Sequence, residues 1–586
     1  MSAILDAETL LALDVGSVHT RANLFDVVDG RYRLVATGRA LSTAGAPLFD
    51  ISEGVRSALD QVQEITGRRI VDESESLILP ATSAGSGVDV FVGTASAGPR
   101  VRTVLIGLMP GISMDSVRRL AASTYLDVVA EISLTDARRE EEQIDLILAA
   151  KPDLILMAGG TDGGARDSML RMARVLSLAV QLLPEDSRPK VVFAGNRQIG
   201  ATLAEMMADG PGVVLAPNVR PTLEQEELGP TRLRLAEAIS QIRSSRVNGF
   251  EELKQWSGGS LLLAADGFGR VIRYLSQIYD PHKGVLGVDV GASHTTLAAA
   301  FAGDLSLTVR TDLGQGASLP GLLKHATLED VTRWLPIEMP DGRVRDYIYN
   351  KGLHPATIPA EKDELHLEFA VARALVRVAL QQARPTWPDV RPGTVPVLLS
   401  PFERILASGG VLSRAPRPGF TALALLDALQ PVGVTTMVLD PYSLAPALGA
   451  AMGAMPMASV HVLESGSFAS LGTVVAPVGR GRPGRPVLQV RLERERSGGV
   501  TEGEVRFGQL AVLPLGPGDV GRLTIRPEHG FDVGFGGPGR AGTLRVAGSA
   551  VGLILDARGR PLRLAQDPGR RREANMKWLW NIGAME

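Results

Sequence analysis

Asp14-Val15-Gly16-Ser17-Val18-His19-Thr20 is met again 275 positions later as Asp289-Val290-Gly291-Ala292-Ser293-His294-Thr295, identical at five of the seven positions. The first copy follows the apolar run LLAL and precedes RANLFDVV; the second follows GVLGV and precedes TLAAAFAG. Apolar run, Gly-containing heptad, apolar run predicts strand, tight turn, strand at both places. A carboxylate at the end of a buried strand can hold a hydrated divalent cation. Glycine lets backbone N–H groups close in on phosphate, and the neighbouring hydroxyls can add hydrogen bonds. Asp14 and Asp289 are therefore the candidate catalytic and metal-holding residues. Gly16, Ser17, Thr20, Gly291, Ser293 and Thr295 are candidate cofactor contacts. His19 and His294 read as neutral structural histidines rather than phosphate donors. Two such hairpins facing each other would grip one nucleotide from both sides.

Working outward, the first heptad opens a run of three strands (LLALDVG, TRANLFDVV, RYRLVATGRA) with Asp29-Gly30 as a hairpin turn. The helix DISEGVRSALDQVQEITG follows, with Asp50 or Ser52 available as its cap. Residues 81–220 alternate strand and helix: RTVLIGLM, SMDSVRRLAAST, DARREEEQIDLILAA, DLILMAGG, DSMLRMARVLSLAVQLL, KVVFAGN, RQIGATLAEMMA and GVVLAPN. That alternation predicts a doubly wound, mostly parallel sheet. Residues 221–283 read as a helical connector. Residues 284–460 hold the second heptad and another α/β unit, including the long helix ELHLEFAVARALVRVALQQA and the strand PVLLS. After about residue 460 the pattern turns to short β-like runs between Gly and Pro turns, predicting a β-sandwich or small barrel over 461–586. Within it SFASLG…GRGRPGRP reads as a flexible loop.

With 586 residues the chain is too long for a single core. Its formal net charge of −3 favours neither an acidic nor a basic partner. No cysteine is present, which excludes disulfides, thiolate metal sites and cysteine nucleophiles. No apolar run approaches the roughly 18 residues of a membrane helix, and the first residues lack a basic n-region and cleavage site. A cytoplasmic protein without membrane contact is the expectation. Residues 456–586 carry 18 Lys and Arg against 12 Asp and Glu. Those arginines lack interleaved aromatics, so a solvated or protein-docking face is expected rather than a nucleic-acid surface.

Three further motifs bear on chemistry. Ile405-Leu406-Ala407-Ser408-Gly409-Gly410 runs an apolar strand into bare backbone on which a base or ribose can lie, making Gly409 and Gly410 candidate contacts. Some thirty residues on, Asp440-Pro441-Tyr442-Ser443-Leu444-Ala445-Pro446-Ala447-Leu448-Gly449-Ala450 predicts a helix whose small residues permit close packing. Met157-Ala158-Gly159-Gly160-Thr161-Asp162-Gly163-Gly164 is either a phosphate cradle or a tight strand-to-helix crossover. It lacks the Lys-Ser/Thr of a P-loop. Gly159, Gly160 and Thr161 are kept as candidate contacts and Asp162 as a water-orienting acid, with Gly195-Asn196 placed to complete the same crevice. Asp280-Pro281-His282-Lys283-Gly284 is one residue short of the DxHxxG signature of cobalt-ligating mutases and reads as a turn.

DVGSVHT, DVGASHTT, LASGGVL and DPYSLAPALGA, in that order, resemble the two phosphate motifs, adenosine motif and connecting helix of the actin, sugar kinase and heat-shock chaperone superfamily. The resemblance implies an actin-like two-lobed ATPase core closing on Mg-ATP, with residues 1–80 as the first lobe and 284–460 as the second, here with an additional doubly wound α/β region and a C-terminal all-β domain. LIGLMPGIS, LILMAGGTDGGARDSML, VVFAGNRQIGATL and EVRFGQLAVLPLGPGDVGRLTIRP resemble the narrower MutL (GlmL) family encoded beside glutamate mutase. That likeness spans nearly the whole chain. It implies ATP and Mg²⁺ as cofactors, slow hydrolysis, and a cobalamin-dependent mutase subunit as protein client, by analogy with diol dehydratase reactivases. A small-molecule kinase or activase of the same superfamily is a second reading. A nucleotide-binding scaffold or filament protein without sustained turnover is a third.

Overall fold

The computed structural model describes residues 7–208, 212–259, 261–388 and 399–585. Both heptads are turns between antiparallel strands: Leu10–Val15 with His19–Val28, and Gly284–Val290 with Thr295–Phe301. In each turn the glycine N–H donates to the histidine carbonyl at 3.0 Å, Gly16 to His19 and Gly291 to His294. A third antiparallel strand follows each pair, Arg31–Leu41 and Asp304–Arg310. Asp29 and Gly30, both in the left-handed region, make the first of these links. On the other side of each heptad strand lies a parallel strand, Val90–Ala95 in one sheet and Phe402–Ser408 in the other. A fifth strand comes next, Leu261–Leu263 and Gly433–Leu439 respectively. The chain thus builds the same five-strand order twice. Each copy places its heptad aspartate at the carboxyl end of its central strand.

Residues 1–80 alone do not make the first lobe, contrary to expectation. Its sheet is finished by Val90–Ala95 and Leu261–Leu263, and the doubly wound region is inserted between those two strands. The insert's sheet is fully parallel, in the order Leu126–Ser133, Val101–Gly107, Leu154–Ala158, Lys190–Phe193, Val213–Leu215. Periodicity does not predict Leu126–Ser133. It is an edge strand with Asp127 and Glu131 among half-buried neighbours, so it lacks the solid apolar run of its partners.

The expected connector 221–283 also divides. Helix Leu228–Ser244 packs on the insert, whereas Ala264–Ile278 follows the fifth strand of the first lobe. Its counterpart in the second lobe is Ala445–Ala451. The two meet through glycines: a Cβ on Gly449 would lie 1.9 Å from the Gly267 carbonyl oxygen, and one on Gly267 would lie 2.3 Å from that of Pro446. Backbone touches backbone at this crossing. The residues around it (Phe268, Val271, Ile272, Leu444, Leu448) are buried in one core with the parallel sheet's Leu105, Leu154 and Leu156.

Residue 460 is not a domain edge. Ala469–Ala476, within the stretch read as a flexible loop, pairs antiparallel with Gly433–Leu439. Gly552–Asp556 and Leu510–Leu513 then extend the second-lobe sheet to eight strands. Four further C-terminal strands form an antiparallel sheet, Val500–Arg506, Pro486–Arg494, Val520–Pro527, Gly542–Ala547, and Val478–Gly479 pairs separately with Phe531–Asp532. Val487, Leu492, Leu523 and Ile525 of that sheet share a core with Val475, Leu553 and Leu555 of the extension. Two β layers are present, as the β-rich composition predicts, but one of them belongs to the lobe. Residues 396–398 of the expected strand PVLLS lie outside the described residues. Among the described residues no helix is long and apolar enough to cross a membrane.

Candidate functional site

The two lobes enclose a cavity of about 650 Å³ whose lining includes Asp14, Gly16, Ser17, His19 and Arg21 from one side. Asp289, Gly291, Ser408, Gly409 and Gly410 line the other. The heptad aspartates thus converge, although 275 residues separate them in the chain. Asp14 is 5% exposed; its Oδ1 accepts from Thr94 Oγ1 at 2.8 Å and its Oδ2 lies 3.4 Å from Arg21 Nη1. Burial raises its pKa despite the Arg21 charge. Asp289 is pushed up to about 7, first by burial and then by the nearby Asp14 carboxylate. Asp14 is buried and Asp289 half-buried, and the Asp14 carboxylate disfavours ionisation of Asp289.

Gly409 opens the turn that follows strand Phe402–Ser408. Its φ is +92°, and a Cβ there would lie 2.2 Å from the Val290 carbonyl oxygen, so only glycine lets the two second-lobe loops touch. Asp440 anchors the loop that follows. Its carboxylate accepts from Leu444 N at 2.8 Å and Ala445 N at 2.9 Å, capping the helix that meets Gly267. It is fully buried, and burial pushes it up to about 6.

Several predicted contacts lie elsewhere. Thr20 and Thr295 are fully buried and do not line the cavity; each sits one residue past its turn, where strand alternation turns the side chain to the opposite face from the site. Ser293 is outside the lining too, and its carbonyl accepts from Ser318 Oγ at 2.6 Å. Gly159, Gly160, Thr161 and Asp162 are likewise absent from the cavity, because they end a strand of the inserted sheet. Asp162 Oδ1 accepts from Asn218 Nδ2 at 2.9 Å and Arg197 N at 3.2 Å, while Asn196 Oδ1 accepts from Gly163 N at 3.1 Å. These contacts brace neighbouring loops of that sheet, with Asn196 filling the crevice predicted beside Gly195.

Both heptad histidines are held neutral, at about 4, with burial the largest cause. Both line the cavity: His19 has Arg39 Nη2 at 2.8 Å from its Nε2, and His294 meets the Tyr125 ring at 4.9 Å between centroids with its Nε2 3.9 Å from Asp289 Oδ2. Residues that sequence reasoning passed over complete the lining: Arg21, Arg39, Arg414, Gln315, and Lys351, whose Nζ lies 3.1 Å from Glu368 Oε1. Arg21 directly follows the first heptad and Arg414 comes four residues after Gly410. Proximity to a motif was the one signal available.

The cavity suits a polyphosphate with a hydrated divalent cation. Asp14 and Asp289 supply the acidic pair, glycine turns face each other across the space, and cationic side chains flank them. Among the described residues no cluster of three or more His, Asp or Glu could wrap a bare ion.

A duplicated strand order with paired helices behind a shared cleft defines the actin-like, two-lobed class of protein. The MutL protein family model matches residues 10–466, and the chain belongs to that family. "Protein MutL" of Clostridium tetanomorphum is 22% identical over 449 residues, covering 70% of this chain and 88% of that protein. Among solved structures, nucleotide-free acetone carboxylase aligns with 11% identity and a TM-score of 0.32, over 86% of this chain and 81% of its own. Nucleotide-free diol dehydratase-reactivating factor aligns with 12% identity and a TM-score of 0.30, over 76% of this chain and 99% of its own.

Proposed function

We propose that this chain is a Mg-ATP-dependent ATPase that acts as an accessory, reactivating factor for an adenosylcobalamin-dependent mutase. One observation carries the nucleotide part: the two heptad carboxylates, Asp14 and Asp289, open into one cavity between the lobes. Asp14 and Asp289 would hold Mg²⁺ through its water shell, and the cation would offset charge on the phosphates. The Gly16 and Gly291 turns would present N–H groups to phosphate oxygens. Gly409 and Gly410 would leave room for ribose and base. Hydrolysis in such a site depends on positioned water and charge stabilisation, without a covalent intermediate.

Family membership supports the client class. So does the architecture, since the inserted parallel sheet and the four-stranded β layer contribute no residue to the cavity lining and leave large surfaces for a partner. Nucleotide can drive such a partner only by binding open and closed lobes with different affinity. The test is direct. Purified protein should hydrolyse ATP slowly and only with Mg²⁺, and should restore turnover to an inactivated adenosylcobalamin-dependent mutase when ATP is supplied. Asp14→Ala and Asp289→Ala should each lower hydrolysis by about a hundredfold or more. Wild-type rates from both variants would remove the ATPase reading. Reactivation that ignores ATP would remove the coupling.

A further inference from the structure

The cleft holds more positive charge than its carboxylates pair. Arg21 and Arg39 are direct partners across neighbouring antiparallel strands, so both side chains stand on the same face. Like charges in that relation destabilise a sheet unless something lies between them. Among the described residues Arg21 reaches a single carboxylate, Asp14, at 3.4 Å. Arg39 makes no ion pair among the described residues: its Nη2 rests on the neutral His19 ring, and its Nε is buried without a hydrogen-bond partner. Arg414 reaches in from the opposite lobe, just after the turn Gly410–Ser413, and forms no ion pair among the described residues either. Its charge acts on both Arg39 and His19, and burial together with Arg414 and Arg21 draws Arg39 down to about 10. All three guanidiniums line the one cavity.

We propose that Arg21, Arg39 and Arg414 form an anion site that spans both lobes and takes a phosphoryl group. A phosphoryl group offers several oxygens in a tetrahedral array, so planar guanidiniums approaching from different directions can each find an acceptor. A lone carboxylate offers one plane and one charge. With two arginines on one lobe and the third on the other, the anion relieves repulsion across the cleft and favours closure. The phosphoryl group has two possible sources: the nucleotide's own phosphates, which rests on the function proposed above, or a separate phosphate that does not.

Calorimetric titration of the full chain with ATP, ADP and orthophosphate, each with Mg²⁺, separates these cases. Wild type is compared with Arg39→Gln and Arg414→Gln, with thermal melting to verify folding and Arg39→Lys as a charge-retaining control. The expected result is at least a tenfold loss of affinity for a phosphate-bearing ligand in both Gln variants, smaller in Arg39→Lys, with a weaker salt dependence than wild type. Loss for ATP or ADP assigns the nucleotide as the source. Loss for orthophosphate alone, with nucleotide affinity kept, assigns a separate ligand. A wild type that binds orthophosphate but no nucleotide overturns the ATPase proposal and leaves the anion site standing. Unchanged affinity for all three ligands in both folded Gln variants, or no binding of any of them by wild type, overturns the site.

Discussion

At the scale of single residues, Asp289 makes the protein's stability depend on pH. In the folded chain it holds its proton up to about 7, while an unfolded aspartate releases it near 3.9. A raised carboxyl contributes stability that is fully present below about 3.9 and lost as pH rises through about 7. His294 has the opposite sign. Held down to about 4, it contributes stability present above about 6.5 and lost as pH falls towards 4. Above about pH 6.5 the His294 contribution is constant, so the last part of the Asp289 loss, between about pH 6.5 and 7.5, is free of it. Without ligand, the melting temperature of wild type should fall more steeply across that interval than that of Asp289→Asn. Mg²⁺ affinity should move the other way and strengthen as the carboxylate ionises. Equal melting slopes for the two proteins would contradict the assignment.

At the scale of elements, the crossing of Ala264–Ile278 with Ala445–Ala451 has no room for an added side chain. Gly449→Ala places a methyl 1.9 Å from a carbonyl oxygen that cannot rotate away. The helices must separate, at a cost of about 1–3 kcal/mol, read as a lower melting temperature. Ala450→Ser, on the half-buried neighbouring position, should leave it within about 0.5 kcal/mol. Half of this crossing was legible in the chain: DPYSLAPALGA pointed to a small-residue helix, and the heptads pointed to two hairpins. Its partner helix was hidden because GFGRVIRYLSQIYD reads as an ordinary amphipathic segment, and nothing local says that it belongs to the first lobe. Strand order was hidden for the same reason. Val90–Ala95 and Leu261–Leu263 flank a whole inserted sheet, and periodicity does not encode which strands become neighbours. The arginines failed differently. Arg21 and Arg39 become adjacent only through pairing of two strands, and Arg414 only through closure of two lobes. The loop AGGTDGG left two readings open because glycines that serve a tight crossover have the composition of glycines that cradle phosphate; the structure places it outside the cleft between the lobes.

At the scale of the whole molecule, the C-terminal strands hold the second lobe together. Arg558, fully buried, reaches Asp556 at 2.9 Å and Asp427 at 2.8 Å; Arg373 and Arg560 complete the group at 2.8 and 2.7 Å. Asp427 lies in helix Pro418–Leu429 and Asp556 ends a strand far along the chain, so the cluster ties the lobe's helical layer to its outer strands. Arg558→Met leaves two carboxylates under-compensated and should cost about 3–5 kcal/mol in denaturant unfolding. Ending the chain at residue 466 removes three of the eight strands of this sheet, and the remainder should fail to give a cooperative melt.

The inserted sheet leaves and re-enters through neighbouring strands of the first lobe, yet it also grasps the second: Thr311 Oγ1 donates to the Leu126 carbonyl at 2.9 Å, Arg100 Nη2 to Ser318 Oγ at 2.9 Å, and Tyr125 abuts His294. A body rooted in one jaw and latched to the other is a pawl: the jaws part only if the insert follows or these three contacts break.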